Sequence, residues 1–380
     1  MPMNELPTPA ALIDEARLMH NVLHMQRHLH TLGARLRPHV KTAKCLAVAE
    51  RQRTAGAVGI TVSTLKEAEV FFEAGERDIL YAVGIAPRKL AAARSLRERG
   101  CALIVVVDSL AAAQAVVAHG QAHGHRFAVM IEVDTDGHRA GITPGDALLL
   151  QVGHALHEGG AELRGVMTHA GASYECRSPD ALRAMAEQER SRCVHAAMRL
   201  RAAGLPCPEV SVGSTPTALS AAALEGVTEV RAGVYVFHDL VMLGLGVCRI
   251  DEIALSVLAT VIGHQADKGW VLVDAGWMAM SRDRGMPGQP VDYGYGAVCE
   301  ADGTPIDGLV MVSANQEHGI LAWAQGSPAG AGGDLVQRLP LGTPLRILPN
   351  HACATAAQFD HYAVLTADGR LERWPRFNGW

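Results

Sequence analysis

Short apolar runs and longer amphipathic stretches alternate along the chain from about residue 34 to residue 237. The short runs are rich in β-branched residues, and a strand-then-helix order of this kind is typical of a parallel sheet. Eight strands that alternate with helices predict an α/β fold, a (β/α)₈ TIM-like barrel. The predicted strands are Ala34–Val40, Gly59–Ser63, Asp78–Val83, Cys101–Asp108, Arg126–Asp134, Leu163–Ala170, Glu209–Gly213 and Glu229–Phe237.

Capping residues mark the ends of several intervening helices. Thr64-Leu-Lys-Glu67 is a capping box that predicts a helix start. Ser109 is a predicted N-cap for an alanine-rich helix. Two further helices are predicted, one from Ser178-Pro179 to Ala203, closed by Gly204, and one from Thr215-Pro216 to just before Gly226.

A doubly wound open sheet is the competing fold for this alternation. Such a sheet usually has a glycine-rich phosphate-binding turn after its first strand. The corresponding place in this chain is Pro38-His39-Val40-Lys41, which contains no glycine. The sequence therefore favours the barrel.

The pattern changes after residue 243, where helical periodicity nearly disappears. Short β-rich runs and turns predict a mostly β C-terminal domain, which the strand Ala10–Asp14 joins. We expect a barrel domain at 18–242 and a β-rich domain at 243–380 together with 1–17. The β-rich runs are Val257–Gly263, Trp270–Asp274, Leu309–Ser313 and Leu345–Leu348, and Gln325–Asp334 is a predicted surface loop.

Composition argues against two classes of partner. The net charge is −5 and the sequence pI is about 6.4, whereas nucleic acids and anionic membranes bind basic faces. The longest apolar runs are too short to span a bilayer, and the N-terminal residues do not resemble a secretory signal. Eight scattered cysteines without a C-x-x-C pair predict reduced thiols and a cytoplasmic location.

In a barrel, residues at the carboxyl ends of the strands face the active site. Lys41 follows the first predicted strand, and glycine-containing turns follow the seventh and eighth, where barrels often bind phosphate. A phosphate site beside a lysine suggests pyridoxal phosphate (PLP), whose aldehyde condenses with lysine. Only five of the 34 basic residues are lysines, which limits the candidates.

Each of these residues also fits a structural role when taken alone. A lysine at a strand end is usually just solvated, and a histidine such as His169 is as often structural as functional. The agreement of several candidates on one face is what favours cofactor binding. The strand-end candidates are Lys41, Ser63, Asp108, Asp134, His169, Gly213 to Thr215 and Gly233 to Tyr235.

A second candidate site is Pro349-Asn-His351-Ala-Cys353. On a strand, side chains two residues apart share a face, so His351 and Cys353 would converge on one divalent cation. Two protein ligands leave positions open for water or substrate, as in a catalytic metal site. An H-x-C triplet also arises from packing alone, and that alternative stays open.

Seven motifs together resemble one family. They are Arg37-Pro-His-Val-Lys41-Thr42, Gly165-Val-Met-Thr-His169-Ala-Gly171, Val212-Gly-Ser-Thr-Pro216, Arg231-Ala-Gly-Val-Tyr235, Asp274-Ala-Gly276, Glu317-His-Gly319 and Pro349-Asn-His-Ala-Cys353. Along the whole chain, the sequence resembles the alanine-racemase-like, fold-type III PLP enzymes. Within them it is most similar to the branch of D-threonine aldolases and D-serine dehydratases.

The resemblance implies roles for individual residues. Lys41 matches the lysine that binds PLP as a Schiff base, and His169 matches a histidine that lies against the pyridine ring. Arg139 matches an arginine near the phenolic oxygen, and Arg231 matches the racemase arginine that faces the pyridine nitrogen. Further expected cofactor-binding residues are Gly213, Ser214, Thr215, Gly233 and Val234 at the phosphate, together with Tyr174 and Tyr235. The expected metal ligands are His351 and Cys353.

The resemblance also implies a reaction. We expect a PLP- and metal-dependent dehydratase that converts a D-β-hydroxy amino acid to a 2-oxo acid and ammonia, with 3-hydroxyaspartate or D-serine as substrate. The thiolate favours zinc, while manganese and cobalt stay open. A homodimer is expected.

Other functions stay open as alternatives. They are a D-threonine aldolase, an amino-acid racemase and a non-catalytic PLP carrier. Aldolases have an aspartate where this chain has Cys353, and relatives often have a histidine in place of Ala43. Both departures make the aldolase less favoured, a racemase has no need of the metal pair, and the β-rich domain argues against the carrier.

Overall fold

The computed structural model describes residues 5–285, 288–326 and 335–380. Residues 327–334 of the predicted loop Gln325–Asp334 lie outside the described residues. Their strands are β1 Ala10–Asp14, β2 Arg35–Leu36, β3 Ile60–Val62, β4 Asp78–Gly84, β5 Ala102–Val107, β6 Ala128–Glu132, β7 Glu162–Met167, β8 Glu209–Val212, β9 Glu229–Val230, β10 Leu255–Gln265, β11 Trp270–Val273, β12 Ala297–Glu300, β13 Pro305–Ala314, β14 Gly319–Trp323, β15 Pro344–Leu348, β16 His361–Leu365 and β17 Leu371–Pro375.

The α-helices within the described residues are α1 Glu15–Thr31, α2 Leu46–Thr54, α3 Leu65–Glu73, α4 Leu90–Glu98, α5 Leu110–His123, α6 Leu148–Glu158, α7 Pro179–Ala202, α8 Thr215–Ser220, α9 Leu240–Gly244, α10 Trp277–Met280, α11 Leu335–Arg338 and α12 Ala352–Ala356. Single 3₁₀ turns lie between them, among them Gly171–Glu175 and Val234–Val236. Within the described ranges, no helix is both long and apolar enough to cross a membrane.

The chain forms two compact units. Described residues up to 22 and from 234 to 378 form one unit, which we call the β-rich unit, and residues 23–233 with 379–380 form the other, the barrel unit. The domain limits expected from the sequence, 18–242 and 243–380 with 1–17, stay a prediction.

Eight parallel strands form the sheet of the barrel unit, in the order β2-β9-β8-β7-β6-β5-β4-β3. Backbone hydrogen bonds beyond β2 close this sheet on β3, because the Val40 amide donates to the Thr61 carbonyl and the Thr61 amide donates to Pro38. The predicted barrel is confirmed, and an open doubly wound sheet is excluded.

Local sequence signals account for many element boundaries. The Thr64 side chain accepts from the Glu67 amide at the start of α3, and Ser109 and Ser178 cap α5 and α7 in the same way. Strand β5 is almost entirely apolar and buried, as expected for a parallel strand covered on both faces.

Three predicted element lengths were wrong. Strand β2 is only Arg35–Leu36, although the Arg37 and His39 amides beyond it still donate to the Val230 and Ala232 carbonyls. Strand β9 ends at Val230, and the chain then enters the turn Val234–Val236. Helix α8 ends at Ser220, well before Gly226, because Ala221 adopts an extended conformation despite its helix propensity.

The β-rich unit is built on a nine-stranded sheet in the order β11-β14-β13-β12-β15-β10-β1-β16-β17. An additional pairing of β10 with β11 closes six of these strands into a small antiparallel barrel around an apolar core. Strand β1 pairs with β10 and β16, so the predicted joining of Ala10–Asp14 to this unit is confirmed. Strands β12, β14, β16 and β17 were not predicted.

Candidate active site and metal-binding pair

Lys41 lies in a turn at the carboxyl end of the first barrel strand. The Lys44 amide donates to the Val40 carbonyl at 2.8 Å and closes this turn. The side chain of Lys41 is exposed. Burial is the largest cause that lowers the pKa of both His39 and His169, and the charge of Lys41 is the second largest. The ammonium group therefore lies beside two imidazoles at the same end of the barrel.

His169 follows β7 and is held as a neutral imidazole. Its Nδ1 lies 2.9 Å from the carbonyl oxygen of Gly213, which can only accept, so Nδ1 carries the proton and donates it. Burial, followed by the nearby Lys41 cation, lowers the pKa of His169 to about 3 against the effect of this hydrogen bond. Nε2 is therefore an acceptor. The predicted cofactor-binding residue Tyr174 lies nearby, with its ring centroid 6.5 Å from that of His169.

Gly213 makes the turn that follows β8. Its φ is 142°, and a Cβ at this position would collide with the carbonyl oxygen of Arg231. Ser214 then caps α8 through a capping box with Thr217. The amides of Gly213 and Ser214 donate to Glu189 and Thr217, at 3.0 and 3.2 Å. These two residues therefore shape the turn, and their amide hydrogens are directed at protein atoms.

At Gly233, as at Gly213, the neighbouring atoms of the barrel unit lie too close to leave room for a side chain. A Cβ there would lie 3.0 Å from the His39 carbonyl oxygen and 3.1 Å from Thr42 Oγ1. The Nδ1 atom of His39 is buried without a hydrogen-bond partner in the described structure. Two turns that exclude side chains, beside a lysine and an unpartnered buried imidazole nitrogen, fit a phosphate-bearing aldehyde cofactor.

Glu189, which the sequence analysis did not single out, connects two of these turns. One carboxylate oxygen of this buried residue accepts from the amides of Ala170 and Gly213, both at 3.0 Å. Burial raises the pKa of Glu189, and the hydrogen bonds to Thr217 and to the two amides oppose the rise. A signal was present in the sequence, because Glu189 shares the apolar face of α7 with Ala186 and Cys193.

Arg231 is buried and engaged by protein acceptors. Its Nη1 donates to Ser211 Oγ at 2.7 Å, and its Nη2 donates to the Thr168 carbonyl oxygen. Ser211 in turn donates to Glu229, whose other oxygen accepts from Arg37 at 2.7 Å. Arg231 is therefore held in a charged network, with two of its three nitrogens directed at protein atoms.

Arg139 lies in the exposed loop after β6. Its guanidinium lies near the buried Glu132, with Nη2 and Oε1 separated by 3.5 Å. Burial raises the pKa of Glu132, and Arg139 opposes that rise. Arg139 also contributes to the lowered pKa of His169, which places its charge near that imidazole. The barrel unit thus brings together Lys41, Arg139, His169, Tyr174, Gly213, Ser214, Thr215, Arg231 and Gly233.

The expected placement of His351 and Cys353 on a strand was wrong. Strand β15 ends at Leu348, and His351 is the N-cap of α12 with Cys353 in its first turn. The chain turns here because the amide of Ala352, between the two residues, donates to the buried carboxylate of Asp239 at 2.9 Å. Also within the β-rich unit, the predicted cofactor residues Val234 and Tyr235 are buried in a 3₁₀ turn.

His351 and Cys353 nevertheless lie together. Burial opposes protonation of His351, but side-chain hydrogen bonds to Asp283 and Cys353 raise its pKa to about 11. Asp283, which was not predicted from the sequence, has its Oδ2 2.6 Å from His351 Nδ1. In the described part of the chain, no cluster of three or more histidine, cysteine or acidic side chains has the arrangement of a metal site. Imidazole and thiol are nevertheless a suitable donor pair for a divalent cation.

A family model for the alanine racemase N-terminal domain matches residues 13–240, and a model for a putative serine dehydratase domain matches residues 254–365. The chain therefore belongs to the alanine-racemase-like, fold-type III PLP enzymes.

Individual relatives cover nearly the whole chain. The chain is 62% identical over 376 residues to D-threo-3-hydroxyaspartate dehydratase of Delftia sp. (strain HT23), covering 99% of this chain and 98% of that one. It is 30% identical over 390 residues to D-serine dehydratase of Dictyostelium discoideum, covering 97% and 96%. A solved structure described as a D-threo-3-hydroxyaspartate dehydratase C353A mutant in the metal-free form is 61% identical, with a TM-score of 0.98 and complete coverage of both chains.

Proposed function

We propose that this protein is a PLP- and divalent-metal-dependent dehydratase of D-β-hydroxy amino acids. Its preferred reaction converts D-threo-3-hydroxyaspartate to oxaloacetate and ammonia, and D-serine gives pyruvate and ammonia. The observation that carries the proposal is the grouping of Lys41, neutral His169 and the Gly213 turn at one end of the barrel. Identity of 62% to a dehydratase of this name supports the substrate class. We further propose a cytoplasmic homodimer.

The residues of the barrel unit would hold the cofactor in distinct ways. Lys41 would bind it covalently through Nζ, and His169 would lie against its ring. Thr215 and Gly233 would hold the phosphate in turns that Gly213 and Ser214 shape, with Tyr174, Arg139 and Arg231 nearby. When bound, PLP supplies an electron sink that makes the substrate's α-proton removable.

Lys41 is the proposed base. With PLP bound, its Nζ would accept the α-proton of the substrate. His169 Nδ1 donates a hydrogen bond to the Gly213 carbonyl at 2.9 Å, which leaves Nε2 unprotonated. Since the pKa of His169 is lowered to about 3, its Nε2 is a weak base, and removal of the Cα proton is assigned to Lys41.

His351 and Cys353 are the proposed metal ligands. A divalent cation held there supplies Lewis-acid chemistry for the departing β-hydroxide. The nitrogen and sulfur donors favour zinc, and manganese or cobalt would also fit a site with open positions. A relative's structure described as a C353A mutant in the metal-free form supports a link between this cysteine and metal.

A product assay tests the function against its alternative. D-threo-3-hydroxyaspartate, D-serine and D-threonine are each incubated with the purified protein, and 2-oxo acid, ammonia and glycine are measured. The dehydratase releases 2-oxo acid and ammonia in equal amounts and forms no glycine. Glycine together with an aldehyde would instead identify an aldolase, the second candidate. The rank of the three substrates defines the preferred one.

A further inference from the structure

A carboxylate contacts the proposed metal ligand His351 on the ring nitrogen that faces away from any cation it could bind. Asp283 Oδ2 lies 2.6 Å from His351 Nδ1. Two ligand atoms of one tetrahedral cation, each about 2.0–2.2 Å from it, are about 3.3–3.6 Å apart. The shorter distance identifies a direct hydrogen bond, in which Nδ1 donates and the carboxylate accepts. Nε2 is then the nitrogen left to bind metal.

Asp283 is itself held in place by its local backbone. Its Oδ1 accepts from the Gly285 amide at 2.9 Å, and its own amide donates to Ser281 Oγ at 3.0 Å. Both Ser281 and Gly285 have positive φ values, 74° and 80°. Since both carboxylate oxygens are engaged, the side chain presents Oδ2 to His351 in one orientation.

We propose that Asp283 is a positioning residue that orients His351 for metal binding. The inference rests on the proposed metal pair and deepens it. A carboxylate bonded to the far nitrogen of a histidine fixes the ring orientation, sets the tautomer and increases the basicity of the nitrogen that binds the metal. Asp283 thereby adds a third residue to the site without being a ligand.

The test is a comparison of metal affinity in the full-length holoenzyme. Each protein is stripped with a chelator, and the dissociation constants for Zn²⁺ and Co²⁺ are measured by competition with an indicator dye. We expect Asp283→Ala to bind about 10–100-fold more weakly. Asp283→Asn should lose less affinity, because an amide oxygen still accepts from Nδ1. The near-ultraviolet absorbance of the Co²⁺–thiolate bond gives an independent readout of Cys353 ligation.

Two further variants complete the design. Asp360→Asn is the matched control, because Asp360 also bonds the Nδ1 of a histidine, His361, in the β-rich unit. The metal affinity of this variant should equal that of the wild type. Metal-free Asp283→Asn should keep the far-ultraviolet circular dichroism of the wild type, which separates weaker metal binding from loss of the fold. Wild-type affinity in Asp283→Ala together with a loss in His351→Ala would overturn the positioning role and leave the metal pair intact. Wild-type affinity in His351→Ala would overturn both.

Discussion

His169 in the barrel unit and His351 in the β-rich unit are both histidines, but their surroundings favour opposite protonation states. Burial and the cations Lys41, Arg139 and Arg231 lower the pKa of His169 to about 3. Against burial, Asp283, Cys353 and Asp239 raise the pKa of His351 to about 11. The comparison shows that neighbouring charge, and not residue type, decides the state of an imidazole.

The same difference separates the chemistry of the two sets of residues. Around His169 the nearby charges are positive, which favours an anionic ligand such as a phosphate or a substrate carboxylate. Around His351 they are negative, which favours a cation. The proposed cofactor and metal assignments therefore agree with the electrostatics of each unit taken by itself.

The largest expected effect is the loss of covalent cofactor binding. Lys41→Ala should lower dehydratase activity by at least about 10³-fold, because it removes the amine that we propose both condenses with PLP and acts as the base. The visible absorbance of bound PLP should disappear, while metal affinity stays unchanged. Lys66→Ala, at an exposed lysine, is the control and should behave as the wild type. An unchanged cofactor spectrum in Lys41→Ala would remove this assignment.

Removal of the metal is expected to have the next largest effect. His351→Ala, or treatment with EDTA, should lower elimination by about 10²-fold, because hydroxide would leave without a Lewis acid. The absorbance of bound PLP should be retained, the reverse of the result for Lys41→Ala. Full elimination activity in metal-stripped protein would make the pair of His351 and Cys353 structural.

A third prediction concerns the turn between β8 and α8. Gly213→Ala should lower the free energy of unfolding by about 3 kcal/mol, because it adds a collision with the Arg231 carbonyl to the strain of positive φ. Gly204→Ala has positive φ but an open Cβ position, so it should cost only about 1 kcal/mol. Urea unfolding of the apoproteins measures both, and equal losses would show that the collision is relieved.

The smallest expected effect is a pH dependence of stability. The pKa of His169 is about 3 in the folded protein, below the value of about 6.5 for an unfolded chain. The contribution of neutral His169 to the free energy of unfolding is therefore complete above pH ~6.5 and is lost as the pH falls toward the pKa of the folded protein. When the pH falls from ~6.5 to ~5, the free energy of unfolding should decrease by about 1–2 kcal/mol more in the wild type than in His169→Gln. Equal losses in urea unfolding would indicate a charged His169.

Short-range signals in the sequence determined much of the barrel unit. The capping serines and threonines mark helix starts through bonds to residues three positions away, and an apolar run such as β5 marks a strand buried on both faces. Lys41, His169 and Gly213 were predictable as neighbours because the carboxyl ends of barrel strands lie on one face. The roles of Arg139, Tyr174 and Arg231 came from family resemblance, and they stay predictions.

The tertiary structure alone decided how the polar groups are paired. Glu189 bonds Gly213 across 24 positions, and Asp283 bonds His351 across 68. His351 and Cys353 lie together on a helix start, where the sequence predicted a strand, because Asp239 binds the amide between them. Hydrogen bonds between distant residues depend on where the packed core places their backbones. Residue spacing carries no record of that placement.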